Sequence, residues 1–327
     1  MGDLPKERVT GYIRPFAISG VDYAGPIFIR ESRRRGRHPT FKAYIALFIC
    51  LNTRAIHLEL VTDLTTEAFL AALRRFTGRR GICSRLISDN GTNFVGASRE
   101  LKELYAFLKE KEDTIQTLLA KQKIEWSFIP PRAPNFGGSW ESAIKIVKRK
   151  FYAVTKGLVL TFEKCYTLLV EIEAVVNSRP ITPCSNDPQD LSVLTPAHFL
   201  VGDFLFQPVQ RNYVDVFDKY LSRWQHLQKV RQDFWRRWQT EYLMEQQRRS
   251  KWVRGTTALT KGTLVLLKDE RLPPLQWHVE RITEEHPGAD GVIRVVTVRT
   301  AQGQFKRASR SLCPLPMEDD FLTPRSN

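Results

Sequence analysis

The order of strand and helix patterns limits the folds open to this chain more than any other feature. Three strand patterns come first, each bounded by turn residues: Phe16–Ile29, Tyr44–Cys50 and Ala55–Val61. Because short turns join them, they predict an antiparallel meander. Helix and strand patterns then alternate: helix Thr65–Phe76, strand Arg85–Ser88, helix Ser98–Leu119, strand Ile124–Phe128 and helix Trp140–Thr155. This order predicts an α/β domain in which helices flank a mixed sheet, the arrangement expected of an RNase H-like fold.

The second part of the chain follows a different pattern. Residues 162–178 have helical spacing, 179–202 are punctuated by Pro, Ser and Asp, and 215–252 are rich in Arg, Gln and Trp. Short strands separated by Pro and Gly turns predict a small SH3-like β-barrel: Thr263–Leu267, His278–Ile282, Val292–Val298 and Phe305–Ala308. The predicted organisation is a linker (1–14), an α/β core (15–178), a loop and basic helical connector (179–254), a small barrel (255–316) and a tail (317–327).

The charge favours a polyanionic partner. The 327 residues hold 50 Lys and Arg against 35 Asp and Glu, a formal net charge of +15 with a pI near 9.7. Residues 211–254 alone hold 11 basic and 5 acidic residues. A smaller excess would suffice for solubility, so contact with nucleic acid is the favoured interpretation.

Other classes are disfavoured by what the sequence lacks. The five cysteines include no CxxC pair, which predicts reduced thiols and neither a disulfide scaffold nor a zinc site. No apolar run approaches the roughly 20 residues that span a bilayer, and the first residues do not resemble a secretory signal. We therefore expect a soluble intracellular protein without membrane contact.

Three acidic residues differ from the solvated acids of the helix faces. Asp22 lies inside an otherwise apolar strand, where a carboxylate needs a cation or metal as partner. Asp89 ends a buried strand and is followed by an Asn-Gly turn. Glu141 comes early in a helix, where interaction with the helix dipole would also explain an acid.

Together these acids suggest metal chemistry. Carboxylates that converge from two strands and a helix suit Mg²⁺, which binds few carboxylates and keeps positions for water and phosphate oxygens. Two such ions about 3.5–4 Å apart can stabilise the attacking and leaving oxygens of a phosphoryl transfer. No GxSxG, Walker or HExxH motif offers a different chemistry.

At these positions the sequence resembles the integrases of retroviruses and retrotransposons, specifically the BEL/Pao branch. The matching strings are FAISGVDYAGP (Phe16–Pro26), LISDNGTNFVGA (Leu86–Ala97) and FIPPRAPNFGGSWES (Phe128–Ser142). Asn177–Gly202 resembles the segment that follows the core in that branch, and Lys261–Pro316 resembles its C-terminal barrel.

The resemblance implies a function. It implies a D,D,E triad of Asp22, Asp89 and Glu141 that binds two Mg²⁺ or Mn²⁺ ions, trims the 3′ ends of a retroelement DNA and joins them to target DNA. Because the substrate is DNA, we predict action in the nucleus, and we expect the active form to be a homo-oligomer. No small-molecule cofactor is expected.

The third acid has a competitor. Many integrases place 35 residues between the second and third acids, which is the spacing from Asp89 to Glu125, whereas Glu141 follows Asp89 after 51 residues. We prefer Glu141 because it follows the glycine loop and lies on a helix. Ile124, Trp126 and Phe128 form the apolar face of their strand, so Glu125 is expected to point to the opposite face.

The zinc domain that integrases carry at their N terminus has no counterpart here. The first 37 residues contain neither His nor Cys, whereas tetrahedral zinc needs four ligands. Leu4–Val9 resembles the linker after that domain. The chain therefore looks truncated, and a catalytically silent, co-opted remnant that binds DNA is the alternative to an active enzyme.

Several residues are candidates for DNA contact. Lys145 and Lys148 follow Glu141 on the same helix face, and the family resemblance implies contacts with the element ends there. Asn93 and the loop glycines Gly137 and Gly138 are expected to line the substrate channel. In the connector the candidates for phosphate contact are Arg231, Arg236 and Arg237.

The remaining aromatic and imidazole side chains are interpreted as structural. We expect four connector tryptophans to pack as a helical stripe: Trp224, Trp235, Trp238 and Trp252. His57 and His198 have no evident partner in the sequence and are taken as structural.

Overall fold

The computed structural model describes nine stretches of the chain: residues 14–31, 39–89, 93–100, 124–128, 138–185, 187–206, 210–254, 259–269 and 272–316. For 138–145 and 248–254 only the backbone is described. The chain divides into two compact units between Val176 and Asn177. None of the described helices combines the length and apolarity that a membrane-spanning segment needs.

The described part of the first unit is built on a six-stranded mixed sheet. Its strands are β1 (Ile18–Arg30), β2 (Thr40–Cys50), β3 (Ile56–Val61), β4 (Arg85–Ser88), β5 (Glu125–Phe128) and β6 (Leu160–Thr161). The order is β3-β2-β1-β4-β5, with β6 beside β1. β1, β2 and β3 pair antiparallel, whereas β4 and β6 run parallel to β1, and β5 runs parallel to β4. The predicted meander and mixed sheet are confirmed.

The helices of this unit follow the predicted patterns. They are α1 (Thr66–Arg80), α2 (residues 93–100), α3 (Gly138–Thr155) and α4 (Phe162–Asn177). Thr65 caps α1, since its side-chain oxygen accepts from the Ala68 backbone N–H at 3.2 Å. The helix predicted over Ser98–Leu119 begins before Ser98, and its residues after 100 lie outside the described stretches.

Aromatic rings hold α1 and α2 against one face of the sheet. Phe69 and Phe76 of α1 are fully buried, and Phe76 stacks on Phe48 of β2 with ring centroids 4.2 Å apart. Phe94 of α2 meets Phe69 edge to face at 4.9 Å and stacks on Tyr23 of β1 at 5.3 Å. The apolar residues of α1 therefore pack against the side of β1 that carries Tyr23.

Gly25 marks a close approach within the sheet. The pairing of β1 with β2 shifts register between Ala24 and Ile27. Gly25 has φ +144°, and a Cβ there would lie 2.5 Å from the Tyr44 ring. Only glycine therefore fits this irregularity, which lies three residues beyond Asp22.

The second unit contains a five-stranded antiparallel sheet and a long helix. The sheet has the order β12-β11-β10-β9-β13, and the long helix is α6. The elements are β7 (Thr182–Pro183), β8 (Val193–Leu194), α5 (His198–Val201), α6 (Arg223–Arg254), β9 (Leu264–Leu267), β10 (Val279–Pro287), β11 (Ile293–Thr300), β12 (Gly303–Ala308) and β13 (Leu312–Pro314). A separate small β region is confirmed, and β13 was not predicted.

The helix α6 packs on this sheet instead of standing apart as a connector. Trp277, which precedes β10, meets Trp235, Trp238 and Tyr242 of α6 with ring centroids 5.0, 5.9 and 5.7 Å away. Leu243 of the same helix belongs to a buried cluster with sheet residues Leu264, Leu266 and Cys313. Residues 179–254 and 255–316, separate in the sequence-based organisation, therefore share one core.

Candidate functional site

Asp22 lies at the middle of the central strand β1. Its neighbour Tyr23 stacks on Phe94 in the aromatic layer, so alternation directs Asp22 to the opposite face of the sheet. There the Lys148 Nζ of α3 donates to Asp22 Oδ2 at 2.5 Å, and the Tyr23 backbone N–H donates to Oδ1 at 2.6 Å. The side chains of Asp22 and Lys148 are 36% and 22% exposed. The cationic partner expected for Asp22 is thus present, and the pair remains open to solvent.

Asp89 lies at the carboxyl end of the neighbouring strand. β4 runs parallel to β1 in the register Gly20 with Ile87, and continuing that register by two residues brings Asp89 beside Asp22. Adjacent strands lie about 4.8 Å apart. Asp89 is exposed, and the Ser88 hydroxyl, which donates to the Asp89 carbonyl at 2.9 Å, helps to fix the strand end.

Behind Asp22, the aromatic layer closes the site. Burial raises the pKa of Tyr23 to about 12, and the nearby Asn93 side chain offsets this in part. Asn93 is half-buried in the first turn of α2, where its side chain lies beside the Tyr23 hydroxyl. The predicted role of Asn93 in DNA contact stays a prediction.

The register of β4 and β5 separates Glu125 from the two aspartates. Glu125 pairs with Arg85 at the start of β4, four residues before Asp89. At about 3.3 Å per residue this is about 13 Å along the strand. The alternation of side chains along β5 does not by itself exclude Glu125 from a site with Asp22. Trp126 lies 6.5 Å from Phe94 in the aromatic layer, so the neighbouring Glu125 faces the same side of the sheet as Asp22. The distance along the strand excludes it from a metal site with Asp89.

Glu141 lies in the first part of α3, with only its backbone described. It precedes Lys148 by seven residues, two turns or about 10 Å of helix, and therefore shares the helix face that reaches Asp22. Lys145 and Gly138 also lie in this backbone-only stretch, and Gly137 lies outside the described residues.

The carboxylates around the carboxyl end of β4 suit a hard divalent cation. Asp22 and Asp89 offer carboxylate oxygens from adjacent strands, and the Lys148 ammonium already places a positive charge against Asp22. Among the described side chains no three His, Cys, Asp or Glu residues form a metal-binding group. A complete ligand set would need Glu141 as well, whose side chain is not among those described.

The connector arginines have different environments. Arg231 is buried and donates to the Gln210 side chain, so the expectation that it contacts phosphate is wrong for this conformation. The helix turns this position inward, toward the core. Arg236 is partly exposed and pairs with Asp233 at 3.3 Å, and Arg237 is exposed. Their roles in DNA contact stay predictions.

The predicted tryptophan stripe is only partly correct. Trp235 and Trp238 are buried as expected. Trp224, in the first turn of α6, is 58% exposed, because the helix begins before its apolar face meets the core. The side chain of Trp252 lies outside the described set.

A second charged cluster, which the sequence analysis missed, lies on β3. His57 Nε2 lies 3.1 Å from Glu59, and its Nδ1 lies 3.2 Å from Glu173 of α4. Arg75 and Arg79 of α1 each bond Glu59 at 2.6 Å, and Arg80 bonds Glu173. His57 and Glu59 at alternate positions of one strand were the available signal, but Glu173 lies 116 residues from His57.

The protonation states of this cluster follow from its contacts. Burial disfavours a charged His57, but the hydrogen bonds to Glu173 and Glu59 outweigh it and raise the pKa of His57. Burial likewise opposes the charge of Glu59, and the bonds from His57 and Arg75 outweigh it and lower the pKa of Glu59. Each ring nitrogen faces a carboxylate, so only the imidazolium donates to both. The His57 ring and both carboxylates of this cluster are thus bonded to groups of the first unit.

Part of the second unit matches one protein family. Residues 222–315 match the model of a family of unknown function, DUF5641, which covers less than a third of the chain. No curated protein matches the sequence.

One solved structure similar to the chain is described as a cryo-EM structure of the simian T-cell lymphotropic virus intasome in complex with the PP2A regulatory subunit B56 gamma. The two are 11% identical with a TM-score of 0.37, and the match covers 94% of this chain and 81% of that chain.

Proposed function

We propose that the chain is an integrase-type polynucleotidyl transferase that processes retroelement 3′ ends and joins them to target DNA. The observation that carries the proposal is the register of β1 and β4, which brings Asp22 and Asp89 side by side on adjacent strands, with the Lys148 ammonium against Asp22. The sequence resemblance around both aspartates and Glu141 supports it. The same resemblance supports an RNase H-like first unit and an SH3-like sheet in the second.

In this proposal Asp22, Asp89 and Glu141 hold two Mg²⁺ or Mn²⁺ ions. When bound, such ions stabilise negative charge on the attacking and leaving oxygens of a phosphoryl transfer. The fold contributes rigid placement: Asp22 lies within the central strand β1, and Asp89 follows the end of β4. Glu125, at the far end of the strand pair, takes no part.

Lys148 has a defined task in this scheme. In the structure its ammonium neutralises Asp22 at 2.5 Å. If a metal were bound by Asp22, the Lys148 ammonium would be free to pair with a DNA phosphate instead. Lys148 would thus hold the site in a neutral state until metal and DNA arrive together, with Lys145 one helical turn earlier as a second phosphate contact.

A second function has its own supporting observation. The Lys148 ammonium is paired with Asp22, and a lysine that keeps this contact would compete with a metal for the carboxylate. In that case the chain is a co-opted DNA-binding protein that acts through its charge of +15. Either function concerns DNA, so we propose action in the nucleus. For the enzyme we also propose a homo-oligomer as the active form.

Strand joining on a labelled branched DNA tests the proposal. Wild type is assayed with Mg²⁺ and with Mn²⁺, beside Asp89→Asn, Glu141→Gln and the matched control Glu125→Gln. We expect Asp89→Asn and Glu141→Gln to abolish joining and Glu125→Gln to leave it unchanged. Loss of joining only in Glu125→Gln would show that the third acid is wrongly assigned. Wild type that binds the DNA and joins none with either metal would establish the DNA-binding alternative.

A further inference from the structure

Three large aromatic side chains lie exposed within eight consecutive residues of the second unit. Phe217 is 72% exposed, Tyr220 69% and Trp224 58%. Full burial of such a ring would contribute about 1.5–3 kcal/mol to folding. Scattered single exposed apolar residues are ordinary in proteins, whereas a group of large exposed rings indicates a surface for a partner.

A lysine lies between two of these rings. The Lys219 ammonium is 4.8 Å from the centre of the Tyr220 ring and 6.0 Å from that of Phe217, and the two rings meet edge to face at 6.5 Å. These distances are those of cation–π contacts. We call Phe217, Lys219, Tyr220 and Trp224 the aromatic platform.

The aromatic platform is held in place from both sides. Ser222 and Gln225 cap the start of α6 reciprocally: the Ser222 hydroxyl accepts from the Gln225 backbone N–H at 3.2 Å, and the side-chain Oε1 of Gln225 accepts from the Ser222 backbone N–H at 2.8 Å. Lys229 of α6 donates to the Val216 carbonyl at 2.7 Å and to Asp218 at 2.9 Å. The exposed rings therefore stand on a fixed backbone, which reduces the ordering entropy of binding.

The charge around the aromatic platform selects the kind of partner. Asp218, beside Lys219, is already engaged by Lys229. No acidic residue lies in the first turn of α6, and residues 211–224 carry Arg211, Lys219 and Arg223 against Asp215 and Asp218. A purely apolar protein surface would gain nothing from this excess of positive charge, whereas a polyanion with flat apolar faces would use both features.

We propose that the aromatic platform binds single-stranded nucleic acid, with bases stacked on Phe217, Tyr220 and Trp224 and a backbone phosphate at Lys219. Unpaired bases expose both ring faces, and stacking on aromatic side chains with phosphate contacts from cations is how sequence-tolerant single-strand binding works. The bases of a duplex are already stacked on each other, so the rings distinguish single from double strands. This site does not depend on metal chemistry in the first unit.

The test uses three probes with equal numbers of phosphates. They are a fluorescein-labelled oligothymidylate of about 16 nucleotides, the same strand without bases, and a duplex. Anisotropy at fixed salt gives the Kd of each for wild type, and for Phe217→Ala, Tyr220→Ala and Trp224→Ala singly and combined. Phe162→Ala removes an exposed ring of the first unit and is the matched control.

We expect wild type to bind the oligothymidylate at least tenfold more tightly than the strand without bases. Each alanine variant should weaken oligothymidylate binding roughly 5- to 100-fold while leaving the strand without bases nearly unchanged. Trp224→Phe keeps a ring and should keep most of the affinity, while the quenching of tryptophan fluorescence due to Trp224 disappears. Lys219→Gln should reduce the slope of log K against log salt concentration by the amount expected for the loss of about one phosphate contact.

Other outcomes would overturn the proposal. Equal Kd values for oligothymidylate and the strand without bases in wild type would show that charge alone binds. Unchanged oligothymidylate binding in the combined variant, confirmed as folded by circular dichroism, would leave the rings as a surface for a protein partner.

Discussion

Two charged clusters in the first unit contain the same kinds of groups and differ in their surroundings. Asp22, Lys148 and Asp89 lie near the carboxyl end of β4, on a face of the sheet that solvent reaches, and are called here the open-face cluster. His57, Glu59 and Glu173 lie between β3 and the helices, where Glu59 is completely buried and each carboxylate has partners from two or more elements. The buried cluster stabilises the fold, whereas the carboxylates of the open-face cluster are exposed to solvent, where a ligand can reach them.

The largest effect that would sharpen this comparison is on stability. Glu59→Ala leaves His57, Arg75 and Arg79 without their common acceptor, and breaking a buried ion pair costs about 3–5 kcal/mol. Asp22→Asn should change the free energy of unfolding by less than about 1 kcal/mol, because its pair is half-exposed. Urea unfolding of both variants measures the difference. Equal destabilisation would remove the distinction between the clusters.

The pH dependence separates the clusters next. His57 has a raised pKa in the fold, so its stabilisation is complete below the unfolded value of 6.5 and is lost as pH rises through the folded pKa. Glu59 has a lowered pKa, so its stabilisation is present above 4.5 and is lost as pH falls through the folded value. The Tm should therefore be highest between pH 4.5 and pH 6.5. In His57→Gln the Tm should no longer fall on the alkaline side of this range. A Tm that still falls above pH 6.5 in His57→Gln would contradict the assignment.

Single arginines of the buried cluster should matter less than its acids. Arg79→Ala leaves Glu59 bonded to Arg75 and His57, and the Arg79 side chain is partly exposed. We expect a loss of about 1 kcal/mol, measured by urea unfolding. The exposed Arg237→Ala serves as the control and should change nothing measurable. A loss as large as that of Glu59→Ala would mean that the cluster depends on one arginine.

The smallest expected effect is on the affinity of the open-face cluster for Mg²⁺. Lys148→Gln removes the cation that competes for Asp22, so Mg²⁺ should bind roughly fivefold more tightly, as measured by calorimetry without DNA. Lys156→Gln, further along the chain, is the control. Weaker Mg²⁺ binding in Lys148→Gln would show that the lysine supports the metal site instead of competing with it.

How much of this could be predicted from the sequence depends on how local each feature is. Periodicity and turn residues predicted β1 to β4 and the helix capped by Thr65, because these signals lie within a few residues. The short strand β13 went unpredicted, since three residues beside a proline carry no periodicity.

Long-range packing could not be predicted in the same way. The partner of His57 on α4 and the burial of Arg231 depend on which elements meet in the fold. Asp22 was identified because a charge in an apolar strand is anomalous by itself. Glu125 is excluded from a metal site with Asp89 by the register of β4 and β5, which local sequence patterns do not determine.

The most direct test of the central claim replaces one carboxylate ligand with a thiolate. Asp89 is exposed, so Asp89→Cys should fold as wild type does. A thiolate binds the hard Mg²⁺ poorly and accepts softer ions more readily. The account predicts no strand joining by Asp89→Cys with Mg²⁺ and partial recovery with Mn²⁺. Joining at the wild-type rate with Mg²⁺ would show that the Asp89 carboxylate is not a metal ligand and would contradict the account.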